Sequence, residues 1–106
     1  MNRGEIYWVN LDPAKGAEIK KLRPFVIVSA TPINKARHTV VVVPLSTSAH
    51  ARPPIVISIN CLGKVVTAVC DQIRTVDKSR LVKSAGKITL NDLDVLEDSL
   101  RQILSL

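Results

Sequence analysis

Two periodicities divide the chain. Over most of its length, apolar residues come in short runs or alternate with polar ones, the signature of strands. Glu5-Ile6-Tyr7-Trp8-Val9-Asn10-Leu11 alternates well enough for a half-buried strand, and Phe25-Val26-Ile27-Val28 is an unbroken apolar run typical of a buried one. Val40-Val41-Val42-Val43 is β-branched throughout and predicts a central strand leading into Pro44-Leu45-Ser46-Thr47-Ser48. Ile55-Val56-Ile57-Ser58-Ile59 and Val65-Val66-Thr67-Ala68-Val69-Cys70 predict two more, turned at Leu62-Gly63-Lys64. Asp71-Gln72-Ile73-Arg74-Thr75 breaks the pattern with a polar cluster, and Asp77-Lys78-Ser79-Arg80 predicts a tight turn. Leu81 to Ile88 predicts a last strand, interrupted at Ala85-Gly86.

The helical period appears at the end. Leu90, Leu93, Leu96, Leu100, Ile103 and Leu104 fall on one stripe, with Asn91, Asp94, Glu97, Asp98 and Arg101 mostly opposite. Thr89 and Asp92 form a capping pair, and the acidic residues lie toward the N-terminal end, where the helix dipole favours them. No basic residue precedes Arg101 in this helix, so its role is core packing. A shorter helical turn is expected at Thr31-Pro32-Ile33-Asn34-Lys35-Ala36, with Thr31 as N-cap and proline in the first helical position. Six or so short strands and one terminal helix predict a mainly β fold, a small barrel capped by that helix. At 106 residues, with no repeat or linker, one domain spanning 1-106 is expected.

Composition sharpens this picture. The chain is 46% hydrophobic but only 3% aromatic, so the core is built from Val, Ile and Leu. A charged fraction of 23% argues against global disorder. The net charge of +6 and pI near 9.8 favour a polyanionic partner. Cys61 and Cys70 match no metal-ligand spacing and are expected to be reduced and buried. The N-terminus lacks the apolar core of a signal peptide, and the longest apolar run, Val40 to Leu45, is far too short to span a membrane. A cytoplasmic protein is expected.

Candidate chemistry lies at strand ends, for the chain has no phosphate-binding glycine loop, zinc signature or nucleophile elbow. The long connection from Asp12-Pro13 to Arg23 sets Lys15, Lys20, Lys21 and Arg23 against only Asp12 and Glu18, and reads as the lip of an anion site. Arg23 is either a solvated loop arginine, or paired with Glu18, or a guanidinium fork for phosphate. The hydroxyls of Ser46-Thr47-Ser48 either satisfy a turn or donate to a phosphoryl oxygen. His50, in a loop with Arg52, is an acid–base candidate or a surface residue like His38. Asp71-Gln72 contacts bases or a reacting hydroxyl, or forms an Asx turn. Lys20 and Lys21 form a basic face that steers. Tyr7 and Trp8 could stack a base, although a strand position beside Val9 favours core or dimer contact.

Arg3-Gly4-Glu5-Ile6, Asp12-Pro13, Gly16-x-Glu18, Arg23-Pro24, Val43-Pro44-Leu45-Ser46-Thr47 and Asp71-Gln72-Ile73-Arg74-Thr75-Val76-Asp77 occur in this order over nearly the whole chain. Together they resemble the MazF/PemK family of toxin endoribonucleases. The resemblance implies a small SH3-like barrel of the kind shared with CcdB-like proteins, usually a homodimer. It implies cleavage of single-stranded mRNA at selected sequences without metal or cofactor, and inhibition by a cognate antitoxin with a disordered tail. Carried over residue by residue, it makes Arg23, Ser46 and Asp71 the catalytic candidates. Glu18, Lys20, Lys21, Thr47, His50, Gln72 and Arg74 are the RNA-binding candidates. Ala17 and Val69 stand where some PemK-type members have histidine and arginine, so the chain fits better the subset working through the loop arginine and the Ser/Thr. The expected reaction is attack by the RNA 2′-hydroxyl, giving a 2′,3′-cyclic phosphate and a 5′-hydroxyl. Competing readings are a non-catalytic RNA-binding barrel and a CcdB-like gyrase poison. The latter family uses a Trp-Gly-Ile C-terminus, whereas this chain ends Ile103-Leu104-Ser105-Leu106.

Overall fold

Alternating side chains need two faces to pack against, and the strands meet that need by curling one sheet around a core. The computed structural model describes residues 1–11 and 22–106. Its strands are β1 (Glu5–Asn10), β2 (Leu22–Ile27), β3 (Thr39–Ser46), β4 (Val56–Cys61), β5 (Lys64–Val69), β6 (Arg74–Asp77) and β7 (Leu81–Lys87). Helix α1 (Thr31–Ala36) joins β2 to β3, and α2 (Leu90–Leu104) closes the chain. The strands form one seven-stranded antiparallel sheet in the order β4-β5-β3-β2-β1-β7, with β6 also on β3.

β3 organises the curl. One of its edges carries β2, through the pairs Phe25↔Pro44, Val26↔Val43 and Ile27↔Val42. The other edge is shared. Its first half takes β6, from Thr39↔Asp77 to Val42↔Arg74, and its end takes β5, at Leu45↔Ala68 and Ser46↔Thr67. Between β5 and β6 the chain steps off the ladder as a 3-10 turn, Cys70–Gln72. Pro44, which has no amide to donate, lies at this changeover. The result is a strongly curled half-barrel with a C-terminal helix, as expected from the pattern.

Strand alternation sorts the apolar residues into two clusters. Ile6, Val26, Val43 and Leu45 join Ile57, Ile59, Val66, Ala68 and Cys70 in the main core, where Leu93, Leu96, Leu100 and Ile103 of α2 pack. Leu96 is wholly buried. Val9, Phe25, Ile27, Val40, Val42 and Val76 form a smaller cluster on the opposite face. Both cysteines are free and buried; burial pushes the Cys70 thiol up to about 11, helped by the charge of Asp71 and opposed by a hydrogen bond with Ser99.

The termini of α2 are well sealed. Thr89 Oγ1 accepts the Asp92 amide hydrogen at 3.1 Å, as the capping pair predicts. The Asp92 carboxylate in turn accepts from the Asn60 amide at 2.9 Å, occupying a donor on edge strand β4. Arg3 pairs with Glu97 and donates Nε to Val28 O at 3.1 Å, binding the start of the chain to the helix.

The structure departs from the expected pattern in four places. Ala30, not Thr31, is the N-cap of α1; the Thr31 hydroxyl instead accepts from the Arg3 amide at 3.0 Å, a tertiary contact that outcompetes the local one. Arg74–Asp77, expected to be irregular, is a strand, because β3 offers a free edge there. β7 runs unbroken through Ala85-Gly86; register shifts against β1 absorb the irregularity, and Gly86 takes φ +103°, open to glycine without strain. Leu90 is 81% exposed and leaves the apolar stripe, since it precedes the first turn in contact with the sheet.

Candidate active site

The open ends of β2 and β3 border a cleft of about 730 Å³. Register explains how its polar residues reach it. Phe25 pairs with Pro44; two residues further out on each strand come Arg23 and Ser46, on the same face and at the same end of the ladder. Arg74 arrives by another route. It pairs with Val42 across the other edge of β3, which places it on that face too. Arg23, Ser46, Thr47, Gln72 and Arg74 all line the cleft. Gln72 is delivered by the 3-10 turn that separates β5 from β6.

Ser46 has a defined chemical state. Its Oγ accepts hydrogen bonds from the Ser48 amide at 3.1 Å and the Ala49 amide at 3.0 Å. With two N–H groups on its lone pairs, the hydroxyl is left to act as a donor. The Ser48 hydroxyl lies 3.3 Å away and competes for that hydrogen. Thr67, nearly buried, braces the same loop by donating to Ser46 O at 3.1 Å and to Ala49 O at 3.2 Å. The turn reading of this serine therefore holds, and the same geometry leaves a hydroxyl donor beside the cleft.

Among the described residues, every charged side chain on the cleft wall is cationic, Arg23 and Arg74. Both are exposed, so they are available to an anion without a prior desolvation cost. Asp71 is exposed in the same 3-10 turn as Gln72 but is not among the lining residues, and neither is His50. Glu18, Lys20 and Lys21 lie outside the described residues. The structure thus brings together Arg23, Ser46, Thr47, Gln72 and Arg74, and leaves Asp71 and His50 off the wall. Among the described residues, no group of three or more His, Cys, Asp or Glu could hold a metal ion. No helix in them is long and apolar enough to cross a membrane.

Trp8, weighed in the sequence as a base stacker or a core or dimer contact, lines the wall; sequence reasoning missed its other apolar residues, among them Pro24, Pro44, Leu45 and Val69. Pro24 and Pro44 could have been found from their adjacency to Arg23 and Ser46, whereas Val69 reaches the cleft only because β5 ends there.

A profile for the PemK-like, MazF-like toxins of type II toxin–antitoxin systems matches residues 2–104. The chain belongs to that family. It is 34% identical over 115 residues to the endoribonuclease MazF9 of Mycobacterium tuberculosis, an alignment covering 100% of this chain and 98% of that protein. It is 40% identical over 81 residues to the endoribonuclease PemK of Escherichia coli, covering 73% of this chain and 61% of PemK. In fold it resembles an endoribonuclease solved in complex with its cognate antitoxin from a mycobacterial species, with a TM-score of 0.84 at 23% identity over 100% of this chain and 96% of that one. MazF of Deinococcus radiodurans superposes with a TM-score of 0.81 at 21% identity, over 100% of this chain and 97% of that one. In this PemK/MazF-type chain the cleft combines cationic and hydroxyl donors with an apolar wall, a surface suited to a ligand with both phosphate and base.

Proposed function

We propose that this protein is the toxin of a type II toxin–antitoxin pair, an endoribonuclease that cuts single-stranded mRNA at selected sequences and so halts translation and growth. The observation that carries the reading is the convergence of Arg23, Arg74 and a donor-oriented Ser46 on one cleft. RNA brings its own nucleophile. The 2′-oxygen attacks phosphorus, the bond to the 5′-oxygen breaks, and the products are a 2′,3′-cyclic phosphate and a 5′-hydroxyl; one proton leaves the 2′-oxygen and one arrives at the 5′-oxygen. The protein has to hold the phosphate in line, neutralise charge growing on its non-bridging oxygens, and assist the two proton transfers.

Arg23 is assigned to the non-bridging oxygens, where a planar guanidinium gives two parallel hydrogen bonds. Ser46 donates its hydroxyl to the same group, and Thr47 stands beside it. Gln72 and Arg74 extend the contact to neighbouring bases and phosphates. Glu18, Lys20 and Lys21 are assigned to RNA binding from the loop, and His50 from the loop after Thr47. Asp71 is the candidate for accepting the 2′-proton, and its position off the cleft wall makes Asp71→Asn the variant that decides this role.

The relatives solved with their antitoxins, from a mycobacterial species and from Deinococcus radiodurans, support an antitoxin as the natural inhibitor. We also assign a homodimer and a cytoplasmic location, as suits a small β protein acting on mRNA.

The test is cleavage of a long RNA by purified protein in EDTA, with the 5′ ends mapped. Cuts at a repeated short motif, abolished by a 2′-deoxyribose at the scissile position, support the enzyme. RNA binding without cuts would instead identify a silent RNA-binding barrel. Loss of supercoiling with intact RNA would identify a gyrase poison.

A further inference from the structure

Of the three aromatic residues, two are absorbed by packing: Phe25 is buried in the smaller apolar cluster and Tyr7 packs against it. Among the described residues Trp8 belongs to neither cluster, yet it is half-buried and lines the cleft. Its neighbours across the sheet are informative. Trp8 pairs with Pro24 of β2 on one side and with Lys83 of β7 on the other. Pairing sets the three in one cross-strand row, with neighbouring strands about 5 Å apart. Pro24, which also lines the cleft, directly follows Arg23 in sequence. Lys83 is exposed at the outer end of the row. The row therefore offers a flat indole, a rigid ring beside it and a cation at its edge; by alternation it lies on the sheet face opposite the Arg23 side chain, and Trp8 and Pro24 meet Arg23 at the cleft around the strand end.

We propose that Trp8, with Pro24 beside it and Lys83 at its edge, is the subsite that stacks an unpaired base of the RNA adjacent to the nucleotide being cut. This rests on reading the cleft as an RNA-cleaving site, and adds to it the residue that holds the neighbouring base. Stacking on an aromatic face suits a single-stranded ligand, because every base has a π-face and a duplex would hide it. Lys83 acts on the backbone phosphate of the same nucleotide and carries no sequence information.

The sequence contains a single tryptophan, so intrinsic fluorescence reports this site alone. The unmodified protein is titrated with an oligoribonucleotide that contains the cut site and carries 2′-deoxyribose at the scissile position. Saturable quenching is expected, and it should vanish when one position beside the scissile nucleotide is made abasic. Trp8→Ala should weaken binding on the order of 10- to 100-fold, with Trp8→Phe recovering much of the loss. Lys83→Ala should lower the salt slope of binding by about 0.7 and leave the preferred motif unchanged. Cleavage and tight binding with no quenching, or quenching indifferent to every abasic position, overturn the stacking role while leaving the nuclease reading intact. Fluorescence that follows protein concentration and not RNA places Trp8 against a second copy, and also overturns it. Should this oligonucleotide fail to bind and its all-ribose counterpart fail to be cut, the nuclease reading itself falls, and the subsite with it. If Trp8→Ala does not fold, the abasic series and Trp8→Phe still decide.

Discussion

Arg23 and Ser46 are separated by most of two strands and a helix, yet both line one cleft, and the role proposed for each can be tested. Loss of an oxyanion-type donor costs about 10²–10³ in turnover, so Arg23→Ala should lower saturated single-turnover cleavage by that factor. If instead only the apparent affinity and salt slope change, Arg23 is a binding contact and not a catalytic one. Ser46→Ala should reduce turnover and also cost roughly 1 kcal/mol of stability, because the Ser48 and Ala49 amides lose their acceptor. Ser46→Thr keeps the hydroxyl and should restore much of both, as denaturant melting alongside rate measurements will register. Asp71→Asn separates two outcomes by its pH–rate profile: loss of the acidic limb assigns it the 2′-proton, and unchanged turnover removes it from the chemistry. Cys70 makes a prediction of another kind. A thiol ordinarily near 9 is pushed up to about 11, so the native state keeps a proton that the unfolded chain releases. Its contribution to stability is complete below pH 9 and is lost as pH rises toward 11. Cys70→Ala should flatten the alkaline limb of a stability–pH curve.

At the scale of elements, the terminal helix closes the main core of the barrel. Leu96 sits wholly buried where α2 meets the sheet, and Leu96→Ala should destabilise by about 2–5 kcal/mol, measured by urea unfolding. Thr89→Ala should cost about 1 kcal/mol through the lost cap. The helix and the apolar strands were legible because each carries its own period. β6 was not. Arg74–Asp77 is mixed in pattern and becomes a strand only because β3 presents it with an unpaired edge. Thr31 was misread as a cap for a related reason: its hydroxyl had two partners to choose from, and the Arg3 amide is distant in sequence.

For the whole molecule, a net charge of +6 and a cleft whose described charges are all positive favour association with a polyanion. Binding of a non-cleavable oligonucleotide should therefore weaken steeply with salt, each phosphate contact adding about 0.7 to the logarithmic slope. A flat salt response would remove electrostatics from the binding energy. Sedimentation at micromolar concentration tests the dimer directly.

The sequence by itself determined the local elements and the family, because hydrophobic period, β-branching, capping residues and ordered motif blocks are properties of neighbouring positions. It also named Arg23 and Ser46, since the chemistry of a guanidinium and a hydroxyl needs no coordinates to recognise. Which of the candidates share a wall was decided by tertiary structure alone. The split edge of β3 brings Arg74 onto the face of Arg23 and Ser46 and leaves Asp71 outside. Trp8 likewise acquires its place from register, because pairing with Pro24 and Lys83 is a relation between strands that no single stretch of chain encodes.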